Sequence, residues 1–455
     1  MSAWGIILLI VVLIFLRQPL IVLMGAVTVF CYYFLPDPPL VKLQELNAII
    51  GDLFFAGDKE ILLAIPLFII AGNLMTHGSI ARRLIRIAET VTAPVPAGLA
   101  IAGVFSCGIF AAISGSSPVT LIAIGGLMYP SLTKAGYPTN FSMGLLASGG
   151  TLGIIIPPSI PMIIYAIMVG ASVTDLFIAG VGPGLLLMSL LIIYSIFRAG
   201  NVARGKWVFS DIRVAFKEGT LALMMPLVIL GGIYSGFFTA TESAAIAVFY
   251  AIMVEVLIHR ELEFKKIPNI MAESAEMLGI LFLILIMAVS LNKFMIENEI
   301  PQNLVAKMKE LVTSPITFLI GVNILLLIVG MFMDIMSAIL VLAPLLAPMA
   351  INYGVDPVHF GIIMIVNLEI GYLTPPVGVN LFVASGIFKQ PLGAVIKSVA
   401  PIVGLFLIGL MLITWIPSIS MGLVPKKEKA IEKMEMKEPD EPSTESTDPV
   451  TTPEQ

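Results

Sequence analysis

Ser114-Gly115-Ser116-Ser117-Pro118 places three hydroxyls, a glycine and a proline between two apolar runs, AGLAIAGVFSCGIFAAI and VTLIAIGGLMYPSL. A second stretch of the same character, SGGTLGIIIPPS, carries Ser148, Gly149, Gly150 and Thr151, then Pro157, Pro158 and Ser159. In hydrocarbon an unpaired backbone group costs several kcal/mol, so such breaks survive only where they line a cavity or lie inside protein. Glycine loosens a helix, and each proline leaves an earlier carbonyl unbonded. Hydroxyls and freed carbonyls together make a hard-oxygen donor set suited to a small alkali cation. Either stretch alone also fits close helix contact through glycine, or a plain proline kink.

A similar pair recurs later as MFMDIMS and EIGYLTPPVGVN. Asp334 is a carboxylate in an apolar run, which marks a functional site, although aspartate also caps helices. Glu369 is a carboxylate of the same kind, which reads either as a functional group or as a structural one paired with backbone rather than ligand, and Asn380 is in reach of either ion or substrate. Half-helix N-termini at such breaks favour an anionic substrate group. Glu242, in FFTATESAAIAVFYAI, reads as a helix cap near the outer surface. Asn73 and Asn367 read as helix–helix hydrogen bonds.

These residues sit in a chain of 455 residues, 58% hydrophobic and 12% charged, with mean hydropathy +1.02. Apolar runs of spanning length recur along most of it, which makes it an all-α polytopic membrane protein rather than a β-barrel. Spans fall at about 4–16, 19–35, 60–76, 140–170, 175–197, 219–237, 241–258, 272–296, 358–386 and 395–419. The first lacks a basic start and a cleavage site, so it reads as retained. Two further apolar stretches, 96–134 and 315–352, are broken in the middle and read as re-entrant hairpins. Amphipathic connectors at 79–92 and 293–311 precede them. Loop lysines and arginines place the N-terminus and the C-terminal tail outside the cytoplasm. The tail, 425–455, carries five lysines against nine acids and reads as disordered. Cys31 and Cys107 lie in apolar segments and suggest neither disulfide nor metal. Walker, HExxH, GxSxG and CxxC patterns are absent, which argues against an ATPase or an intramembrane enzyme.

The chain also repeats itself. Shifted by 218 residues, Pro130 meets Pro348, Gly136 meets Gly354, Gly153 meets Gly371, and Pro157-Pro158 meets Pro375-Pro376. The SGSSP break then faces Met333 to Met336. Charge places the two connectors on opposite sides, so the repeats are inverted, as in secondary transporters that bind ion and substrate where helices break. The expected units are scaffold helices and a first arm helix in 1–95, then a first transport half in 96–174. Scaffold helices and a second arm follow in 175–314, a second transport half in 315–390, a C-terminal helix in 391–424, and the tail.

The stretches SGSSPVTLIAIGGLMYPSLTKAGYP, ASGGTLGIIIPPSIPMIIYA, GIYSGFFTATESAAIAVFYA and NLEIGYLTPPVGVNLFVASG resemble the large membrane subunit of TRAP (tripartite ATP-independent periplasmic) transporters, over about 4–420. The resemblance implies an elevator-type fold with two re-entrant hairpins and two unwound helices. It implies sodium-driven uptake of an organic anion (a C4-dicarboxylate, a related carboxylate or sialic acid) across the bacterial inner membrane. An extracytoplasmic solute-binding protein would deliver the substrate, and a separate four-helix small subunit would complete the scaffold. Membrane lipid is the surroundings, and no nucleic acid is expected. Carried onto this chain, one sodium site comprises Ser114, Gly115, Ser117, Ser148, Gly149, Gly150 and Thr151. The other comprises Met333, Asp334, Met336, Gly371, Thr374 and Pro376. Substrate would lie between the tips near Ser116, Pro158, Ser159 and Asn380. The runner-up is a stand-alone ion-coupled dicarboxylate carrier without a binding protein. The acidic tail is outside the family pattern.

Overall fold

With no water to serve backbone amides, a chain this apolar must satisfy them within its own segments, and among the described residues every regular element is a helix. The computed structural model describes residues 12–13, 18, 20–34, 60–202, 205–312 and 314–425. The span expected at 4–16 and the tail therefore lie almost entirely outside the described residues. In chain order the helices are α1 (Leu20–Phe34), α2 (Ala64–His77), α3 (Ile80–Thr92) and α4 (Gly98–Ser114). After a two-residue break comes α5 (117–134), which contains a π-helical turn at Leu121–Gly125. Then follow α6 (Thr139–Ile155), α7 (Ile160–Val169), α8 (Val173–Ala199), α9 (Phe209–Tyr234) and α10 (Ala240–Ile258). The second half has α11 (Ile267–Glu297), α12 (Ile300–Leu311), α13 (Pro315–Phe332) and α14 (Ile335–Asn352). It closes with α15 (Pro357–Tyr372), α16 (Val379–Phe388), α17 (Leu392–Trp415) and the short α18 (Ser418–Met421).

Among the described residues, seven helices are long and apolar enough to cross a bilayer, or eight if the bent pair α6 and α7 is one span turning by 40°. Both α13 and α14 pass that length test at 18 residues each, although the sequence reads them as a hairpin that re-enters. Two boundaries move. The span expected at 219–237 starts ten residues earlier, at Phe209, and the second connector is a helix only from Ile300, because 293–297 continue α11.

The 218-residue register holds at the level of whole helices. Shifted by it, α5 lands on α14, α4 falls one residue inside α13, and α6 matches α15 to within one residue. Gly136 and Gly354 both adopt positive φ, 88° and 78°, and the Pro157–Pro158 and Pro375–Pro376 bonds are both cis.

In lipid the hydrophobic effect does little to bring helices together, so close packing and polar pairs decide the arrangement. Asn73 Nδ2 donates to Ser274 Oγ at 2.8 Å, joining α2 to α11, and Asn367 Nδ2 donates to Asn323 Oδ1 at 2.8 Å, joining α15 to α13. Such pairs contribute about 0.6–2 kcal/mol each. One contiguous core runs through both halves, while Val27, Cys31, Tyr32 and Phe294 form a satellite that ties α1 to α11.

The amphipathic arm α3 is held by a carboxylate from a helix far away in the chain. Glu255, fully buried in the π-helical end of α10, accepts from Ser79 N and Ile80 N at 2.7 Å each and from Ser79 Oγ at 3.0 Å. It thus serves the orphan amides at the start of α3 from another helix. Gly78 is required beside it, since a Cβ there would lie 2.3 Å from the Glu255 carboxyl carbon. Arg83 extends the joint, reaching Ser79 Oγ at 3.0 Å and Glu261 at 2.9 Å.

Candidate functional site

Each helix break packs its tip against the unwound segment of its own half. In the first, α4 ends on Gly115 at φ +60°, a left-handed position that glycine alone takes without cost. The Gly115 carbonyl then accepts from Ile160 N at 3.3 Å, and a Cβ on Gly115 would stand 3.0 Å from the Pro158 carbonyl. Ser114 Oγ and Thr120 Oγ1 are 2.7 Å apart, and Thr120 Oγ1 donates to the Ser116 carbonyl at 2.9 Å. Gly153 fits under this turn because a Cβ would meet Thr120 Oγ1 at 2.4 Å and the Ser116 carbonyl at 2.5 Å.

The second half repeats the contact with different chemistry. Val377 N donates to the Met331 carbonyl at 3.1 Å, and Ile335 N donates to Tyr372 Oη at 3.0 Å. Gly330 and Gly371 bring α13 and α15 into backbone contact, where a Cβ on Gly371 would meet the Gly330 carbonyl carbon at 2.5 Å. Asp334 is the N-cap of α14, accepting from Ser337 N at 2.9 Å and from the Ser337 hydroxyl. Met333 is the C-cap of α13, and Thr374 Oγ1 returns to the Ile370 carbonyl at 2.8 Å.

The two tips differ in exposure. Residues 114–117 and 157–159 are buried, whereas Asp334 and Pro375 to Val377 are exposed. Thr151 Oγ1 turns back on the Ser148 carbonyl, and Ser148 Oγ is buried without a hydrogen-bond partner. Ser159 caps α7, accepting from Met162 N at 3.4 Å. Glu242 forms a capping box with Thr239 at the start of α10.

Of the two readings open for Glu369, pairing with backbone is not what its hydrogen bonds show. Its partners are side chains from both halves, not backbone. Ser117 Oγ donates to Oε1 at 2.7 Å, and Asn380 Nδ2 donates to the same oxygen at 3.2 Å and to Ser117 Oγ at 2.5 Å. The sequence reading assigned Ser117 to an ion site, Asn380 to substrate and Glu369 to support, yet the three form one buried cluster. In the 218-residue register Glu369 is the counterpart of Thr151, so the cluster exists in one half only. Two residues escaped the sequence reading: Glu255, although a lone carboxylate in AIMVEVLI was a visible signal, and Tyr372, whose role depends wholly on packing.

Two cavities lie away from the tips. One of about 400 Å³ opens between α7, α11, α12 and α14, lined by Met168, Asn292, Gln302 and Pro344 among others. Another, of about 560 Å³, is bordered by Asp175, Asp356 and Met421. No residue of either tip lines them.

A duplicated membrane fold with paired helix breaks is a transporter architecture. It superposes on the Alcanivorax borkumensis YdaH transporter with TM-score 0.64 at 13% identity, covering 92% of this chain and all of that one. The family model for the DctM component of the tripartite ATP-independent periplasmic transporter matches residues 7–419, and the chain belongs to that family. It is 41% identical over 404 residues to the C4-dicarboxylate TRAP transporter large permease protein DctM of Pseudomonas aeruginosa, covering 88% of this chain and 92% of that protein. It is 40% identical over 372 residues to the isethionate TRAP transporter permease protein DctMQ of Oleidesulfovibrio alaskensis, covering 81% of this chain and 59% of that protein. The tail begins beyond the matched region.

Proposed function

We propose that this chain is the large permease subunit of a sodium-coupled tripartite importer of an organic anion, in the bacterial cytoplasmic membrane. A C4-dicarboxylate or related carboxylate is the favoured cargo, with sialic acid a further candidate, and an extracytoplasmic binding protein delivers it. A separate four-helix membrane subunit completes the scaffold. The observation that carries this reading is the repeated packing of a tip against a break: Gly115 against Ile160, and Met331 against Val377.

Sodium fits the residues present. The first set, Ser114, Gly115, Ser117 and Ser148 to Thr151, offers only hydroxyl and carbonyl oxygens, and one of them, Ser148 Oγ, is buried without a partner. The second set adds the Asp334 carboxylate, placed at a helix N-terminus where its charge also complements the dipole. These are hard donors. The two hairpins re-enter, the repeats are inverted, and the halves carry cargo as an elevator between arms α3 and α12. The Glu255 joint fits this reading, because it holds α3 to the scaffold while α4 and α5 follow.

Reconstitution with the small subunit and the solute receptor tests the proposal. Uptake of labelled C4-dicarboxylate is expected to require an inward sodium gradient and the receptor, and to fall in Asp334→Ala. Sodium-driven uptake without receptor would establish the stand-alone carrier instead. Full uptake in Asp334→Ala would leave that residue a helix cap alone.

A further inference from the structure

The cluster that joins the two halves has more acceptor oxygens than donors. Glu369 is 1% exposed and Asn380 is 0% exposed. Ser117 Oγ and Asn380 Nδ2 both spend their protons on Glu369 Oε1 or on each other. Glu369 Oε2 and Asn380 Oδ1 are buried with no hydrogen-bond partner. No ion pair reaches Glu369 among the described residues. An ionised carboxylate sealed from water without a counter-charge is strongly disfavoured, so a site that keeps one calls for a cation. The two orphaned oxygens belong to side chains already in contact, and both are hard donors, one charged and one neutral.

We propose that Glu369 Oε2 and Asn380 Oδ1 are ligands of an alkali cation bound where the first tip meets the second unwound helix. This is a third site, outside both tip sets, and it rests on the transport reading only for the identity of the ion as sodium. A cation here neutralises the carboxylate that holds Ser117 of the first half against α15 and α16 of the second. Occupancy of the site therefore locks the halves into one body, whereas an empty site leaves the Glu369 carboxyl without a counter-charge between them. Since the register pairs Glu369 with Thr151, the first half has no matching carboxylate, and the site occurs once per chain.

The test is direct binding of radioactive sodium to the purified chain with its small subunit, together with sodium-dependent thermal stabilisation. Glu369→Gln preserves shape and hydrogen bonding but removes the charge, and it is expected to bind one sodium fewer per chain than the wild type. Asn380→Asp adds a second carboxylate and is expected to reach half-maximal stabilisation at roughly tenfold lower sodium, because ligand charge count tunes cation affinity. Unchanged sodium count in Glu369→Gln, with loss in Asp334→Asn, overturns this site and leaves the tip sites standing. A wild type that binds no alkali cation overturns this site and the tip sites together. Should Glu369→Gln fail to fold, Asn380→Asp decides, and an unshifted half-saturation overturns the proposal.

Discussion

Ser117 and Glu369 stand 252 positions apart and share a 2.7 Å hydrogen bond in the interior. That contact fastens the first tip to the second half. Ser117→Ala removes the closer donor to a buried carboxylate, a loss of about 1.5–3 kcal/mol. A corresponding fall in melting temperature of the purified protein is expected, with Ser117→Thr recovering most of it. Equal melting temperatures for wild type and Ser117→Ala would show that the bond contributes nothing.

Backbone contact between Gly330 and Gly371 makes the second half intolerant of a single methyl. In Gly371→Ala the new carbon meets Gly330 backbone at 2.5 Å, which no rotamer change relieves. Overpacking of this kind costs about 1–3 kcal/mol, and uptake should fall with it. Gly386→Ala is the control, because its Cβ meets nothing within 4 Å. If both variants transport alike, α13 and α15 are free to separate.

Glu255→Ala strands two buried amides at the start of α3, at Ser79 and Ile80, and removes a charged acceptor worth about 1.5–3 kcal/mol per bond. Hydrogen exchange of the first turn of α3 should accelerate well before that of α4. Gly78→Ala should act on the same joint by displacing the carboxylate. Unaltered exchange in both variants would contradict the joint.

His259 lies just past α10, its Nδ1 3.1 Å from Ser79 Oγ. Burial, and then the charge of Arg83, hold its pKa below the ordinary 6.5 against the opposing pull of Glu255 and Glu261. The unfolded chain therefore takes up this proton at higher pH than the folded one. The stability concerned is complete above pH 6.5 and is lost as pH falls below it towards the folded value. Melting curves should show a smaller acid loss in His259→Gln than in wild type, and equal losses would remove His259 from the joint.

Much of this was legible from order along the chain. Apolar runs fixed where helices form, because hydrocarbon leaves the backbone no other partner. Glycines and prolines marked the breaks, because each changes what the backbone can bond, and their 218-residue spacing showed the duplication. Asp334, as polar residue before an apolar helix, carried its own capping role. Expectation failed where a side chain's partner lay far away in sequence. Glu369 stayed open between a functional role and pairing with backbone, and Glu255 was passed over, because nothing local names Ser117 or Ser79 as their partners.

The sequence by itself determined that this is a duplicated helical membrane protein with oxygen-rich breaks, since period, length and punctuation are local properties. Only the tertiary structure decided that one tip is buried and the other exposed, that the arm is held from a distant helix, and that Ser117, Glu369 and Asn380 share one site. The physical reason is that a buried polar group must find a partner, and in a folded chain that partner is chosen by packing across the whole molecule, not by neighbours along it.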